Sequence, residues 1–399
     1  ARYSAADTEL TINLGAGSDL VEVGQETGTA GDTAQKTLSQ LFGKINFEGG
    51  DGTNDELVIE NTADNVGGSG LLSQSNLTGF GMADGVTGGI GFGSFESVIV
   101  ALGSGNDSLQ VSGTSSPIDV ELGDGDDLLE IVGYFGDFEA DLNVSGTTQG
   151  DSTAVTGQDD TLSIAFPTAT FLTLGSETLD IGGVVGQINY EQFTSIDAQL
   201  SAGADTVVID DIGAALTLDT GGGADTVTAH EFSFPSIVHL GDDSAADTFT
   251  LVGTSTDLTV TGNAAGIDTL TIDQTDVTNP VTRGRLDDSS SGVVTGVTDG
   301  AVTFDDFAQF NLLLGSGNDQ FALDAGLGLA GTNLFIDGGV SDDVIDIIEL
   351  SDVTAVSGGD GDDTVNLFID GMPTDGQFTD LGLTIETLAI QNSASTIST

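Results

Sequence analysis

One short turn sequence recurs along the whole chain and restricts the folds that the chain can form. In each copy a glycine-rich segment is followed by an aspartate and then by apolar residues at alternating positions, as in Leu102-Gly-Ser-Gly-Asn-Asp-Ser-Leu-Gln-Val111. A chain that repeats one turn is built from copies of one supersecondary unit. There are twelve such turns, and their aspartates are Asp19, Asp55, Asp107, Asp127, Asp160, Asp205, Asp225, Asp247, Asp268, Asp319, Asp343 and Asp363.

The spacing of these aspartates gives the size of the unit. The recurrent step is 20 to 24 residues, as from Asp107 to Asp127, and each step carries short alternating strands. Such a unit cannot bury its own apolar face, but stacked copies can, because each strand pairs in parallel with its equivalent about 4.8 Å along the axis. The sequence therefore predicts an all-β fold, a parallel β-helix or β-roll solenoid. A large β-sandwich with acidic hairpin turns is disfavoured, because sandwich turns do not recur with one sequence at one spacing.

The sequence also has a longer repeat of roughly a hundred residues, which contains several coils. Strands led by Phe95, Phe193 and Phe307 run into tight coils, and variable insertions precede them at residues 61–93, 165–190 and 273–303. Residues 25–44 repeat least and are expected to form an irregular or short helical excursion. We divide one continuous solenoid into an N-terminal coil with an irregular segment (1–40), three super-repeats (41–135, 136–253 and 254–370) and a C-terminal coil (371–399).

The composition excludes several classes of protein. The 59 glycines disfavour helices, since glycine costs about 1 kcal/mol relative to alanine inside a helix. Five basic against 64 acidic residues give a net charge of −59, which excludes a nucleic-acid binder, because phosphate backbones require clustered lysine and arginine. No apolar run approaches the roughly 20 residues of a membrane span, so no membrane insertion is expected.

The turns suit calcium for a physical reason. Their glycines allow positive φ, so that backbone carbonyls can point inward, and the aspartate adds a hard anionic oxygen. Aspartate outnumbers glutamate by 49 to 15, and 23 of the 49 lie in these turns, which favours ligation over a solvating halophilic surface or ordinary turn composition. The candidate ligands are Asp19, Asp55, Asp107, Asp124, Asp126, Asp127, Asp160, Asp205, Asp225, Asp242, Asp247, Asp319, Asp337, Asp342, Asp343, Asp360, Asp362 and Asp363.

The segment Gly358-Gly-Asp-Gly-Asp-Asp-Thr-Val-Asn366 nearly matches the pattern Gly-Gly-x-Gly-x-Asp-x-apolar-x. In this the chain resembles the calcium-binding nonapeptide repeats of RTX proteins, and its longer units are similar to repeats of large bacterial adhesins and S-layer-like proteins. The resemblance implies several bound Ca²⁺ ions and an extracellular or cell-surface location. RTX rolls carry the motif at both turns of a coil, whereas here it occurs about once per 20 residues, so we expect one calcium row along one edge.

The turns are expected to differ in affinity for calcium. Those around Asp127 and Asp363 carry additional acidic residues and should bind most strongly. Those ending at Asp205, Asp225 and Asp247 lack the second acidic residue or asparagine, so ions there should be weaker or missing. Threonine follows the motif aspartate at half of the twelve positions, and these side chains should point outward; they are Thr161, Thr206, Thr226, Thr248, Thr269 and Thr364.

Catalysis is weakly supported, although some parallel β-helices act on polysaccharides. Sugar-acid chemistry needs a base and usually a cation on one face. His230 and His239 lie within one coil and could share a face, but no lysine or arginine lies between Lys44 and Arg283. The chain has no nucleophile motif, phosphate loop or zinc spacing, so we expect that it is not an enzyme.

The favoured function is that of an extracellular structural protein stabilised by calcium. Neither end of the sequence resembles a cap, so copies are expected to stack head to tail into a fibre or surface lattice. The main alternative is an adhesin stalk or ligand-binding module, contacting neighbouring domains of a longer chain and using the insertions to bind. A polysaccharide-active enzyme is less favoured, as is an ice-binding threonine face, since threonine is missing from half of the motif positions.

Overall fold

The computed structural model describes residues 9–26, 36–82, 88–133, 136–146, 159–168, 170–263, 265–282, 284–288, 292–324, 332–349, 353–368, 382–384 and 387–391. Every regular element in these residues is a β-strand. They include no helix long and apolar enough to cross a membrane. The chain forms two compact units, Ala1–Leu200 (unit 1) and Ser201–Thr399 (unit 2).

In unit 1 the chain alternates between two sheets, named A1 and B1. Its strands are β1 (Glu9–Asn13), β2 (Leu20–Val23), β3 (Gln25–Glu26), β4 (Lys36–Thr37), β5 (Lys44–Glu48), β6 (Glu56–Glu60), β7 (Ser69–Ser73), β8 (Asn76–Gly79), β9 (Gly89–Gly93), β10 (Ser97–Ala101), β11 (Ser108–Val111), β12 (Ile118–Glu121), β13 (Leu128–Val132), β14 (Leu142–Ser145), β15 (Thr161–Ala165), β16 (Phe171–Leu174), β17 (Thr178–Ile181), β18 (Ile188–Glu191) and β19 (Ser195–Gln199). Strands β1, β5, β7 to β9, β11, β13, β15 and β19 form A1; β2, β6, β10, β12, β14 and β16 to β18 form B1.

Unit 2 has the same design, with sheets named A2 and B2. Its strands are β20 (Thr206–Ile209), β21 (Ala215–Asp219), β22 (Thr226–Ala229), β23 (Ser236–His239), β24 (Thr248–Leu251), β25 (Leu258–Thr261), β26 (Thr269–Asp273), β27 (Gly284–Asp288), β28 (Gly292–Thr295), β29 (Val302–Asp305), β30 (Gln309–Leu313), β31 (Gln320–Asp324), β32 (Asn333–Asp337), β33 (Val344–Glu349), β34 (Val353–Ser357), β35 (Thr364–Phe368), β36 (Gly382–Thr384) and β37 (Thr387–Gln391). Strands β21, β23, β25, β27 to β29, β31, β33, β35 and β37 form A2, and the others form B2.

Equivalent strands of successive coils pair in parallel, as β10 does with β12 in sheet B1 and β11 with β13 in sheet A1. A chain that adds one strand per coil to each of two parallel sheets is a β-solenoid. The predicted all-β parallel solenoid is therefore confirmed.

The two-residue period of the strands sends alternate side chains between the sheets. Leu57, Val98 and Ile118 are aligned across β6, β10 and β12, and all three are fully buried. Burial of each such side chain contributes about 1.5–3 kcal/mol. The six threonines that follow motif aspartates lie on the outer side, as predicted, and are half-buried or exposed.

The three insertions are antiparallel meanders built into a sheet. Strand β8 pairs antiparallel with β7 and with β9, while β9 stacks in parallel on β5 and β7 stacks in parallel on β11. Strands β16 to β18 form the same arrangement in B1, and β27 to β29 form it in A2. In each meander the third strand runs in the same direction as the first, because the chain reverses twice. The solenoid therefore continues beyond the meander.

The irregular segment predicted at residues 25–44 contains a short antiparallel pair rather than a helix among its described residues. Strand β3 pairs with β4, and residues 27–35 lie outside the described part of the chain. The Lys36 side chain on β4 contacts the carboxylates of Glu60 and Glu22, and these contacts, that with Glu60 above all, raise the pKa of Lys36. The excursion is thereby attached to β2 and β6.

Candidate metal-binding turns

The glycine–aspartate turns connect the two sheets of a unit. Some of them lie at one edge of the sheets and others at the opposite edge. In unit 1 the turns ending at Asp19 and Asp55 lead from A1 to B1, whereas those ending at Asp107, Asp127 and Asp160 lead from B1 to A1. Parallel strands have their carboxyl ends at one edge, so the two directions of crossing use opposite edges. The expectation of one row along one edge is therefore corrected.

Unit 2 repeats this change of edge. The turns ending at Asp225, Asp247 and Asp268 lead from A2 to B2, and those ending at Asp319 and Asp343 lead from B2 to A2, as does the turn ending at Asp363. Each unit therefore carries turns of this kind at both edges.

Consecutive glycine–aspartate turns at one edge form a row. A turn led by phenylalanine follows the last turn of a row, before the glycine–aspartate turns move to the opposite edge. The backbone N–H of Glu96 donates to the Asp55 carbonyl at 3.1 Å, and the N–H of Ala308 donates to the Asp268 carbonyl at 3.1 Å. The residues before Phe95 and Phe307 are Ser94 and Asp306, and each has a φ of +59°, a left-handed conformation that tightens the turn. Both phenylalanines are buried in the core. The phenylalanine therefore anchors a turn that stacks on the last aspartate turn of its row.

The motif aspartates form hydrogen-bonded ladders inside the turns. From Asp55 onward all of them are at most 2% exposed, and in most turns Oδ1 accepts the backbone N–H of the equivalent residue one coil earlier. A hydrogen bond to a charged acceptor contributes about 1.5–3 kcal/mol, so the ladder holds successive coils in register. The bonds are Asp19 N to Asp55 (2.8 Å), Gly68 N to Asp107 (2.7 Å), Asp107 N to Asp127 (2.7 Å), Asp127 N to Asp160 (2.8 Å), Asp205 N to Asp225 (2.7 Å), Asp225 N to Asp247 (2.7 Å), Asp247 N to Asp268 (2.9 Å), Val281 N to Asp319 (2.6 Å), Asp319 N to Asp343 (2.7 Å) and Asp343 N to Asp363 (2.9 Å).

Sequence reasoning missed Glu96 as a member of a ladder. Its Oε2 accepts the backbone N–H of Asp55 at 2.7 Å, which is the bond that a motif aspartate would make. The signal was its position directly after Phe95, in a turn that takes the place of a glycine–aspartate turn.

The second carboxylate oxygen is unpartnered in several turns. Among the described residues no group hydrogen-bonds Oδ2 of Asp55, Asp127 or Asp343, and each of these atoms is buried. Burial raises the pKa of Asp127 and of Asp343 to about 7. Above about pH 7 the turns of Asp127 and Asp343 thus hold a buried negative charge, and a bound cation would offset it.

Further turns show the same electrostatic effect. Burial raises the pKa of Asp160 and Asp225 to about 6, and it raises the pKa of Asp107, Asp247 and Asp319 above the ordinary range. Neighbouring aspartates add repulsion in most of these turns, for example from Asp160 on Asp127.

Glycines pack closely against both the open carboxylate oxygen and a carbonyl of the neighbouring coil. A Cβ on Gly52 would lie 2.2 Å from Asp55 Oδ2 and 2.4 Å from the Gly17 carbonyl oxygen. A Cβ on Gly338 would lie 2.6 Å from Asp343 Oδ2 and 2.3 Å from the Gly358 carbonyl oxygen. A side chain at either position would overlap both oxygens, so only glycine fits there. Carboxylate and carbonyl oxygens are the donors that Ca²⁺ prefers, so the chemistry of these turns suits that ion.

Two turns of unit 2 satisfy the second oxygen with protein groups instead. Oδ2 of Asp205 accepts hydrogen bonds from the Ser201 hydroxyl at 3.1 Å and from the Ser201 N–H at 3.3 Å. Oδ2 of Asp268 accepts the N–H of Asn263 at 2.6 Å. These turns have less need of a cation, and the weaker binding expected at Asp205 stays a prediction.

The remaining candidate ligands lie outside the ladders. In the described part of the chain no three acidic or histidine side chains come close enough together to hold a metal, so an ion would take most of its oxygens from carbonyls. Outer acids also connect coils, since the Asp362 N–H donates to Asp342 Oδ1 at 2.9 Å. Exposed candidates are Asp124, Asp126, Asp242, Asp342, Asp360 and Asp362, and Asp337 is half-buried. Asp19 is also half-buried, but it belongs to a ladder, since its N–H donates to Asp55 Oδ1.

The two histidines do not form a shared site. His230 directly follows β22 of sheet B2, whereas His239 is the last residue of β23 in sheet A2. The possibility that they share a face is therefore wrong. His230 Nδ1 instead lies 2.8 Å from Asp210 Oδ1 in an exposed pair.

The fold and the turns together define an acidic parallel β-solenoid whose coils are joined by stacked glycine–aspartate turns. No known family model matches the chain. A comparison with curated proteins also gives no match.

Proposed function

We propose that the protein is an extracellular structural solenoid that calcium stabilises. The observation that carries this proposal is the series of buried, unpartnered Oδ2 atoms of Asp55, Asp127 and Asp343. Those of Asp55 and Asp343 lie beside a glycine that also packs against a carbonyl oxygen of the adjacent coil. Bound Ca²⁺ would supply positive charge to these turns. The aspartates would hold it with Oδ2 while Oδ1 keeps the backbone ladder.

Calcium would act on folding by mass action. An ion that binds the folded turns and not the unfolded chain stabilises the fold in proportion to its free concentration relative to Kd. The low calcium level of a cytosol would leave the turns empty during synthesis, and higher external calcium would complete folding after export. This difference supports the extracellular location.

An isosteric substitution tests the proposal at one turn. In Asp127→Asn the amide oxygen still accepts the Asp107 N–H, but the open carboxylate oxygen and its charge are lost. We expect the variant to melt about 5 °C below the wild type in millimolar calcium, from a loss of about 1.5–3 kcal/mol, and to melt no lower than the wild type in excess chelator. Melting followed by circular dichroism at pH 8 measures both effects.

Asp268→Asn is the matched control for that substitution. Both oxygens of Asp268 already accept backbone N–H groups, from Asp247 at 2.9 Å and from Asn263 at 2.6 Å. In the variant an amide nitrogen replaces one of these oxygens and cannot accept the bond that it accepted, so Asp268→Asn should lose stability equally with and without calcium. If Asp127→Asn behaves in the same way as Asp268→Asn, calcium does not bind at Asp127.

We further propose that copies assemble head to tail through the ends of the solenoid. Strand β1 pairs only with β5 and β2 only with β6 among the described strands of unit 1, and core-side Leu10, Ile12 and Val21 remain partly exposed there. Light scattering and electron microscopy in millimolar calcium should show filaments or a lattice. A strictly monomeric protein would contradict assembly and favour a segment of a longer adhesin stalk.

An adhesin or ligand-binding role is the second candidate because of exposed apolar side chains in two insertions. Val66 is 82% exposed and Val185 is 85% exposed, and Phe171 in the second insertion is 50% exposed. Exposed apolar side chains of this size favour contact with a partner when they form a patch. The insertions, rather than the calcium turns, would carry adhesion in that case.

A further inference from the structure

One outer face of unit 2 carries two aligned rows of threonine. Four consecutive coils contribute the strands β20, β22, β24 and β26 of sheet B2, which pair in parallel and in register. The first residues of the four strands point outward and align in one row. The third residues of the same strands also point outward and form a second row. The rows are Thr206, Thr226, Thr248 and Thr269, and Val208, Thr228, Thr250 and Thr271.

Both rows are uncharged although the chain as a whole has a charge of −59, and charged side chains such as Asp273 begin only beyond the second row. Seven of the eight positions are threonine and the eighth is Val208. The residues just before the motif aspartates, where other turns place Asp or Asn, extend the uncharged area here. They are Ala204, Ala224, Ala246 and Ile267, and all four are exposed.

Four hydroxyls of this face have no hydrogen-bond partner in the described part of the protein, whereas the Thr271 hydroxyl at its edge accepts the Asn311 side-chain amide at 3.1 Å. No described protein group hydrogen-bonds the hydroxyls of Thr226, Thr228, Thr248 or Thr250, whereas Thr161, the corresponding threonine of unit 1, bonds Ser195 at 2.9 Å. Strand geometry sets the lattice, with about 4.8 Å between coils and roughly 6.6 Å between alternate residues of a strand. The face therefore presents hydroxyl and methyl groups on a regular rectangular grid.

The dimensions and composition of the face limit its occupant. Four coils and four residues per strand cover roughly 250 Å², whereas a stable protein interface needs about 800 Å² from each partner. The eight positions include no aromatic ring on which a sugar could stack. A repeating, uncharged lattice of hydrogen-bonding oxygens suits the grid better, and the prism planes of hexagonal ice present oxygen rows with a rectangular repeat of similar size.

We propose that this face of sheet B2 binds ice. Threonine methyl groups would exclude mobile water from the grid while the hydroxyls hold water oxygens at its spacing. The sequence argued against an ice face because threonine is missing from half of the twelve motif positions. In the structure, four of the six threonine-bearing turns are consecutive coils of one sheet, and a second threonine row lies beside the first.

Incorporation of the full chain into a slowly growing ice hemisphere tests the proposal, with calcium present so that stability is not limiting. The wild type should enter the ice. Thr250→Lys places a charged side chain in the centre of the grid and should lower the incorporated fraction about tenfold, which corresponds to about 1.4 kcal/mol of surface affinity. Thr226→Lys, at the more exposed position, should have the same effect with less risk to folding.

Thr259→Lys is the matched control, because Thr259 is an exposed outward residue of β25 in the opposite sheet A2. It should enter ice as the wild type does, and circular dichroism melts should be similar for all variants. Exclusion of the wild type from ice would overturn the proposal, as would equal incorporation of Thr226→Lys and Thr259→Lys. These outcomes are independent of the calcium melts, so the ice-binding and calcium proposals can fail separately.

Discussion

Excess chelator is expected to lower the melting temperature by more than 20 °C relative to millimolar calcium, or to leave much of the chain unfolded at room temperature. At a free concentration about 100-fold above Kd, one ion adds about 2.7 kcal/mol to the free energy of unfolding. A handful of occupied turns would add about 10 kcal/mol, which is comparable to the whole stability of a typical domain at about 5–15 kcal/mol. The effect should therefore be far larger than that of any single substitution.

Circular dichroism melts in chelator, in calcium and in magnesium would measure this effect. Magnesium is the control, since it requires near-ideal octahedral geometry and keeps its waters, so it should restore little of the lost stability. Restoring calcium should return the melt to its starting temperature. A melting temperature that does not change in excess chelator would exclude calcium as the stabilising ion.

Without calcium, the protein is expected to be more stable at pH 5.5 than at pH 8. The folded-state pKa is about 7 for Asp127 and Asp343 and about 6 for Asp160 and Asp225, because burial disfavours the charged carboxylate. The ordinary value is 3.8. Between about pH 4 and 7 the folded state therefore binds more protons than the unfolded state, so the free energy of unfolding falls as pH rises and is constant above that window.

The four carboxylates together should change the free energy of unfolding by a few kcal/mol, equivalent to about 10 °C in melting temperature. In saturating calcium the trend should weaken or reverse, because the ion favours the charged carboxylate and competes with protons. Melts in chelator across pH 5.5 to 8 would measure the slope. A calcium-free melting temperature that rises with pH would contradict the buried-carboxylate account.

Much of the fold could be predicted because the same local signal recurs in every coil. The alternation around Leu57, Val98 and Ile118 places apolar residues inside, and the repeat aligns them without further information. The motif aspartates were likewise identified from the sequence as candidate ligands in the turns. Their environment was not predictable, since the sequence does not reveal that Asp127 is buried with one oxygen in a ladder and the other open.

The differences between similar turns also required the structure. Asp205 and Asp127 follow comparable glycine-rich segments, yet the Ser201 hydroxyl reaches the second oxygen of Asp205 and nothing described reaches that of Asp127. The sequence distinguished the two turns by their acidic residues, but it did not show that Ser201, which stands where the Asp127 turn has Gly123, would hydrogen-bond the second oxygen of Asp205.

The sequence by itself determined the coil, its length and the identity of the residues that face inward, because these properties follow from local periodicity. The tertiary structure decided which edge each turn occupies and which threonines become neighbours. Those properties depend on the meanders and on the turns led by Phe95 and Phe307, which change how consecutive coils are connected. The repeat specifies the length and the inward-facing residues of each coil, whereas the neighbours of a turn or an outer side chain depend on how the coils are connected.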